Sequence, residues 1–253
     1  MRVLPSFLLS LFAAAAFAHD LAEPCPPRYS YCGYSGPAQW PNLPIENNEC
    51  GATMQSPIDV TTQTRRAGDA IKVAYKPGDA AIRNTGHDIM VVPTEEDAGG
   101  ITIGAKEYKL RYFHFHLPGE HRVPGVQAVA EVHIVHQLKG GSDYAVIGVM
   151  LTRGLRPYPA LAPVFANLPT KACSEATHRV DFAGLLPENV SGYYTYIGSL
   201  TTPPCTQGVT WYVIGAAREI LASDVAKLAA LGENARPLQK NPKPLEVTYI
   251  LPK

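Results

Sequence analysis

No excess charge of either sign marks this chain: 22 lysines and arginines stand against 22 aspartates and glutamates in 253 residues. Without an overall field, nucleic acid and anionic membrane surfaces drop out as partners, and a small neutral substrate fits the balance. The five cysteines contain no close Cys-x-x-Cys pair, which argues against a cysteine-based zinc knuckle. Beyond the N-terminus no run of about 20 apolar residues could span a bilayer. The closing "EVTYILPK" carries no apolar tail, so no C-terminal membrane anchor is expected. Internal repeats, low-complexity tracts and interdomain linkers are missing as well, and residues 19–253 are expected to form a single domain.

What is present begins with a leader. Arg2 precedes the apolar run "LPSFLLSLFAAAAFA", and Ala16 and Ala18 flank Phe17 as at a signal-peptidase site, so residues 1–18 read as a cleaved export signal. The expected destination is secreted or periplasmic, where Cys25, Cys32, Cys50, Cys173 and Cys205 can form disulfides with one thiol left over. Asn189, in "NVS", is a glycosylation acceptor if the host is eukaryotic.

Short stretches rich in Val, Ile, Thr and aromatics, broken by Gly, Pro, Asn and Asp, predict strands over 70–76, 87–93, 101–117, 129–138, 144–152, 192–200 and 208–215. Helical spacing is confined to 158–168 and 217–231, with Ser223 as a candidate cap of the second. The segment up to Pro57 reads as irregular. The content is mainly β with short helices.

The segment "YFHFHLPGEH" (112–121) concentrates three of the eight histidines. On a strand, His114 and His116 point one way while Phe113 and Phe115 point the other, and the two imidazoles sit about 7 Å apart at the backbone. In "AEVHIVH" (130–136), His133 shares a face with Glu131 and Val135, whereas His136 faces away with Ile134. A metal-bound imidazole usually donates its second N–H to a carboxylate or carbonyl, so Glu131 and His133 form a plausible ligand and support. Three histidines on two strands, with no fourth protein ligand required, describe a catalytic rather than a structural zinc site.

The segments "GPAQW" (36–40), "QSPIDV" (55–60), "NTGH" (84–87), "FHFHLPGEH", "AEVHIVH", "GSLTTPPC" (198–205), "VTWYVI" (209–214) and "NARPLQ" (234–239) together resemble the α-class carbonic anhydrases, in the order of that family. The resemblance implies a single domain around a large, mostly antiparallel, twisted central sheet. It implies reversible hydration of carbon dioxide to bicarbonate and a proton by a zinc-bound hydroxide, with one Zn²⁺ held by His114, His116 and His133. Glu131 would orient His133. Thr201 would accept from the hydroxide and donate to a buried Glu120. The apolar pocket would comprise Val135, Val146, Leu200 and Trp211, with Thr202 beside it; from the residues alone these are equally plain strand core. His87 corresponds to the proton shuttle and Tyr34 to an active-site tyrosine. Cys50 and Cys205 occupy positions bridged in exported members, and Cys25–Cys32 is the remaining candidate pair. Sulfonamide-type and anionic inhibitors are implied as ligands.

The sequence departs from the family at several places. Tyr112 stands where a glutamine commonly supports the first histidine, Leu117 replaces a common tryptophan, and Cys32 stands where a tryptophan is often found. Ile89, Met90 and Val92 replace polar residues after the shuttle, which suggests a more apolar cavity wall. A binding or storage protein on the same scaffold and a zinc-hydroxide esterase are the competing functions. The first is disfavoured by the full ligand set, the second by the lack of a recognisable acyl site.

Overall fold

The period-2 alternation of apolar residues dictates a sheet with two different faces, and the structure, a computed structural model, has one. It describes residues 25, 28–61, 64–186 and 192–252. The leader reading of residues 1–18 and the acceptor Asn189 lie outside the described residues.

Among the described residues thirteen strands run β1 (Thr64–Gly68), β2 (Lys72–Val73), β3 (Gly78–Asn84), β4 (Ile89–Pro93), β5 (Gly100–Ile103), β6 (Lys106–His116), β7 (Ala130–Leu138), β8 (Tyr144–Gly154), β9 (Ser174–Val180), β10 (Tyr193–Ser199), β11 (Gln207–Ile214), β12 (Arg218–Leu221) and β13 (Thr248–Pro252). They form one mixed sheet in the order β1-β13-β10-β11-β8-β7-β6-β4-β3-β9, with β2, β5 and β12 off that path. Most pairings are antiparallel; β1 with β13, and β8 with both β11 and β12, are parallel. The helices are short: α1 (Ala162–Ala166) and α2 (Ala222–Ala229). No described helix is long and apolar enough to cross a membrane.

Helix α2 starts one residue before Ser223, so that serine lies in its first turn; the capping position falls to Leu221, with no side-chain cap. The segment before Pro57 forms two 3₁₀ turns, Gly33–Ser35 and Trp40–Asn42, and irregular chain between them, as expected.

The central strands β6, β7 and β8 are buried on both faces, and the alternation sorts their residues into two cores. Phe113, Phe115, Val132, Ile134 and Ile147 join one apolar cluster with the helices. Tyr112, Val135, Val146, Leu200 and Trp211 join a second on the opposite face, together with Met90. Ile89 belongs to the first cluster and Met90 to the second, so of the residues after the shuttle Ile89 does not contribute to the site-side wall. His136 also sits on the far side, buried, its Nε2 2.6 Å from the Tyr75 hydroxyl.

Two disulfides fasten the outer chain to this sheet. Cys50 is joined to Cys205, as the resemblance implied. Cys25 is joined to Cys173, not to Cys32, which is an exposed free thiol. The sheet decides this second pairing: β9 docks on β3 with Ser174 opposite Asn84, which sets Cys173 at the sheet edge with its amide bonded to the Asn84 carbonyl (2.8 Å).

Candidate metal centre

The register between β6 and β7 builds the site. His114 lies opposite His133, and His116 opposite Glu131, so three imidazoles converge on one face. Their ring centroids are 4.4–5.2 Å apart, and ligand atoms of all three lie within 4.8 Å of one another. Burial pushes all three imidazoles below their ordinary range, assisted at His114 and His116 by neighbouring histidines; His116 falls to about 3. At neutral pH the three rings are therefore neutral and carry free lone pairs, the form a metal ion takes.

Hydrogen-bond partners fix which nitrogen is free. His116 Nδ1 donates to the Asn234 carbonyl (2.8 Å), leaving Nε2 as the lone pair, and that atom faces His114 Nε2 at 2.9 Å. His133 Nε2 donates to Glu131 Oε1 (2.9 Å), leaving Nδ1. His114 Nδ1 has no hydrogen-bonded acceptor; the Tyr112 ring lies 5.7 Å away, tilted by 35°. Two of the three ligands are thus locked by an outer partner and the first is the least restrained. A neutral imidazole triad with two tautomers set this way fits a zinc ion with an open position.

Behind the triad lies a buried carboxylate network. Glu131 is fully buried; its Oε2 accepts the amides of Glu120 and His121 (both 2.8 Å), and its Oε1 also accepts from His121 Nδ1 (2.7 Å). Burial works to raise its carboxyl, but His121 and His133 outweigh that and hold it well below the usual carboxylate range. His121 continues through Nε2 to the Tyr196 hydroxyl (2.7 Å), and Tyr196 to Ser56 Oγ (2.9 Å), which accepts the Ser199 amide (3.1 Å). That chain of bonds ends two residues before Thr201.

Glu120 is buried too. Its Oε1 accepts the Arg236 amide (2.7 Å), and burial together with the Glu131 charge raises its carboxyl, while the Arg236 amide and the Thr201 side chain beside it work the other way. The Arg236 guanidinium binds the Ser56 carbonyl (2.7 Å) and the Cys50 carbonyl (3.2 Å), tying this corner to the Cys50–Cys205 bridge. Thr202 accepts the Cys205 amide (2.8 Å) across the turn that carries Thr201. Val135, Val146 and Trp211 lie in line across β7, β8 and β11, and Leu200 joins their cluster.

His87 sits in the turn after β3, its Nδ1 without a partner. The Tyr29 ring packs on it at 4.1 Å between centroids and Tyr31 at 5.7 Å. Burial lowers it to about 4, against an opposing hydrogen bond that the ring donates to the Tyr29 backbone. Tyr34 is not at the site: the Gly33–Ser35 turn carries it outward to full exposure, 102%. The rings that pack on His87 are those of Tyr29 and Tyr31. Sequence reasoning also passed over His121, Asn234 and Arg236, although each lay inside a motif string, "PGEH" or "NARPLQ".

A buried neutral-imidazole cradle backed by a carboxylate and an apolar wall defines a metal-dependent enzyme site. The family profile described as eukaryotic-type carbonic anhydrase matches residues 35–248. Alpha carbonic anhydrase 2 of Arabidopsis thaliana is 37% identical over 223 residues, covering 84% of this chain and 89% of that protein. A carbonic anhydrase of Neisseria gonorrhoeae is 34% identical over 242 residues, covering 94% and 93%. The solved α-carbonic anhydrase of Thermovibrio ammonificans, in complex with the inhibitor sulfanilamide, aligns with a TM-score of 0.75 at 35% identity, over 87% of this chain and 98% of that one. The chain belongs to the eukaryotic-type, or α, carbonic anhydrase family.

Proposed function

We infer that His114, His116 and His133 hold one zinc ion per chain and that the surrounding residues serve the family reaction, the reversible hydration of carbon dioxide to bicarbonate and a proton. The carrying observation is the pair of fixed tautomers, His116 on Asn234 and His133 on Glu131, which turns lone pairs inward. The chemistry a zinc ion held by His114, His116 and His133 would supply is a bound water with its pKa lowered to about 7, the value known for carbonic anhydrases themselves, and hence a nucleophile at neutral pH.

The protein's part is orientation, exclusion of water and proton movement. In its ionised form, which the Arg236 amide and the Thr201 side chain favour against burial, Glu120 can only accept, so it would oblige the Thr201 hydroxyl to donate to it and leave the hydroxyl oxygen as an acceptor toward the reacting oxygen. Val135, Val146, Leu200 and Trp211 offer carbon dioxide an apolar wall, which suits a small molecule with no donors of its own. Thr202 stands at its edge. Met90, next to His114 across β4 and β6, makes that side apolar as well. Primary sulfonamides and small anions are expected to compete at this site, by analogy with the Thermovibrio relative.

Stopped-flow hydration by the mature chain, with zinc content measured on the same sample, is expected to give fast turnover that is lost on chelation. Full zinc occupancy with negligible hydration would instead favour a binding or storage role.

We assign proton removal to His87 through its unpartnered Nδ1. His87→Ala is expected to lower the maximal rate severalfold in weak buffer, with recovery on adding imidazole. An undiminished rate in weak buffer would rule out the assignment. Residues 1–18 are read as a cleaved export signal, and the two disulfides support an oxidising destination, secreted or periplasmic.

A further inference from the structure

The Cys25–Cys173 bridge has no part in the zinc site, yet both of its ends touch the turn that carries His87. Cys25 Sγ lies 3.1 Å from the Thr85 carbonyl oxygen, and the Cys173 amide donates to the Asn84 carbonyl at 2.8 Å. The turn itself is stiff. Asn84 Oδ1 accepts the Gly86 amide (2.9 Å), Asn84 Nδ2 donates to the Pro169 carbonyl (2.9 Å), and the Thr85 amide donates to the Asp88 carbonyl (3.0 Å). Four residues after Cys25 the chain reaches Tyr29, whose ring covers the His87 imidazole, and two residues later Tyr31, which meets it edge-on. Behind both stands Trp40, 5.3 Å from Tyr29 and 5.4 Å from Tyr31, with its indole N–H shared between the Ser30 and Ser35 carbonyls.

We propose that the Cys25–Cys173 disulfide is a clasp that holds Tyr29 and Tyr31 down on His87 and thereby restrains the proton-transfer step. This rests on the reading of His87 as the proton-transfer group. The physical link is solvation. Two rings packed on an imidazole exclude the water that would stabilise its charged form, so the ring resists taking a proton at the pH where it must carry one. Among the described residues, the phenols of Tyr29 and Tyr31 pack on His87. Asp88, in the same turn, is engaged by the Thr85 hydroxyl (2.5 Å), and the Arg236 guanidinium lies over the Trp40 ring at 5.4 Å. On the β9 side Cys173 brings the disulfide, and Glu175 is taken up by Arg83 of β3 (2.7 Å). Tyr29, Tyr31 and the two cysteines are therefore positioning residues, not catalytic ones.

The test follows the His87 imidazole by NMR through a pH titration of the zinc-loaded mature chain, with His87→Ala to identify its signal. The wild type is expected to titrate near 4. The double variant Cys25→Ser/Cys173→Ser, which leaves Cys50–Cys205 intact, is expected to move the midpoint toward the ordinary value of about 6.5. Its maximal rate in weak buffer should rise severalfold at unchanged kcat/KM, because nothing on the metal has been altered. Tyr29→Ala, which keeps both bridges, should give the same shift and covers the case in which the cysteine variant does not fold. An unchanged midpoint in the folded cysteine variant overturns the clasp, and a shift in Tyr29→Ala alone overturns the disulfide's role in it. A shift in both without any gain in rate overturns the restraint on proton transfer. The zinc reading stands or falls separately, on hydration by the wild type.

Discussion

Glu131→Gln should weaken zinc binding by about 10–100-fold, read by competition with a chelator at neutral pH. The carboxylate receives four donors: the amides of Glu120 and His121, His121 Nδ1 and His133 Nε2. Only an ionised, acceptor-only group matches that set. A glutamine of the same shape has one acceptor oxygen and turns an NH₂ toward the remaining donors, so at least one of them is left facing another donor in a site closed to water. Each such unpaired buried group costs about 1–3 kcal/mol, and His133 loses the bond that fixes its inward nitrogen. The loss should therefore appear both in zinc affinity and in the thermal melt of the metal-free protein. Affinity within twofold of wild type would show that the carboxylate is not what orients His133.

Removing the other bridge should act on stability first. Cys50 and Cys205 are 155 residues apart, and closing so long a loop contributes about 3–5 kcal/mol on the chain-entropy model. Cys50→Ala/Cys205→Ala is expected to lower the melting temperature by about 6–20 °C for a domain of this size. A loss of turnover should accompany it, because the bridge holds the Thr201 turn. The Glu49 amide donates to the Pro204 carbonyl (2.8 Å), the Gln207 amide to Glu49 Oε2 (2.7 Å), and Leu200 and Thr206 close the loop from within (3.0 Å). With the bridge gone, the turn rests on these bonds, on the Cys205 amide at the Thr202 carbonyl and on the Gln55 side chain at the Cys205 carbonyl (3.4 Å). A melt shifted by less than 2 °C would mean that they already fix the turn.

The sequence carried the inner sheet and the metal ligands plainly because both depend on alternation. His114 and His116 must share a face if Phe113 and Phe115 enter the core, and the observed clusters divide in that way. The outer strands were not legible. β9, "SEATHRV", alternates half-buried with exposed residues and has little apolar character to announce it. β3 opens with "GDAA", poor in β-branched residues, and β12 lies inside a window whose spacing suggests helix. The supporting residues act from loops far along the chain: Asn234 meets His116 across 118 positions, a distance that no local pattern encodes. The motif around Tyr34 marks a neighbourhood only, whereas the 3₁₀ turn decides which way its ring faces. Cys25–Cys32 failed for a related reason: proximity in sequence counts for less than the docking of β9.

That docking fixes an order of events. Each bridge joins an early residue to a late one, 148 and 155 positions on, and neither late cysteine exists when Cys25, Cys32 and Cys50 first emerge from synthesis. Three unpaired thiols must then wait, with Cys32 the nearest rival for Cys25, until β9 lies along β3 and the turn after β10 has formed. Correct pairing thus waits on the later half of the chain, and the oxidised bonds stand as a record that residues 173 and 205 reached their places.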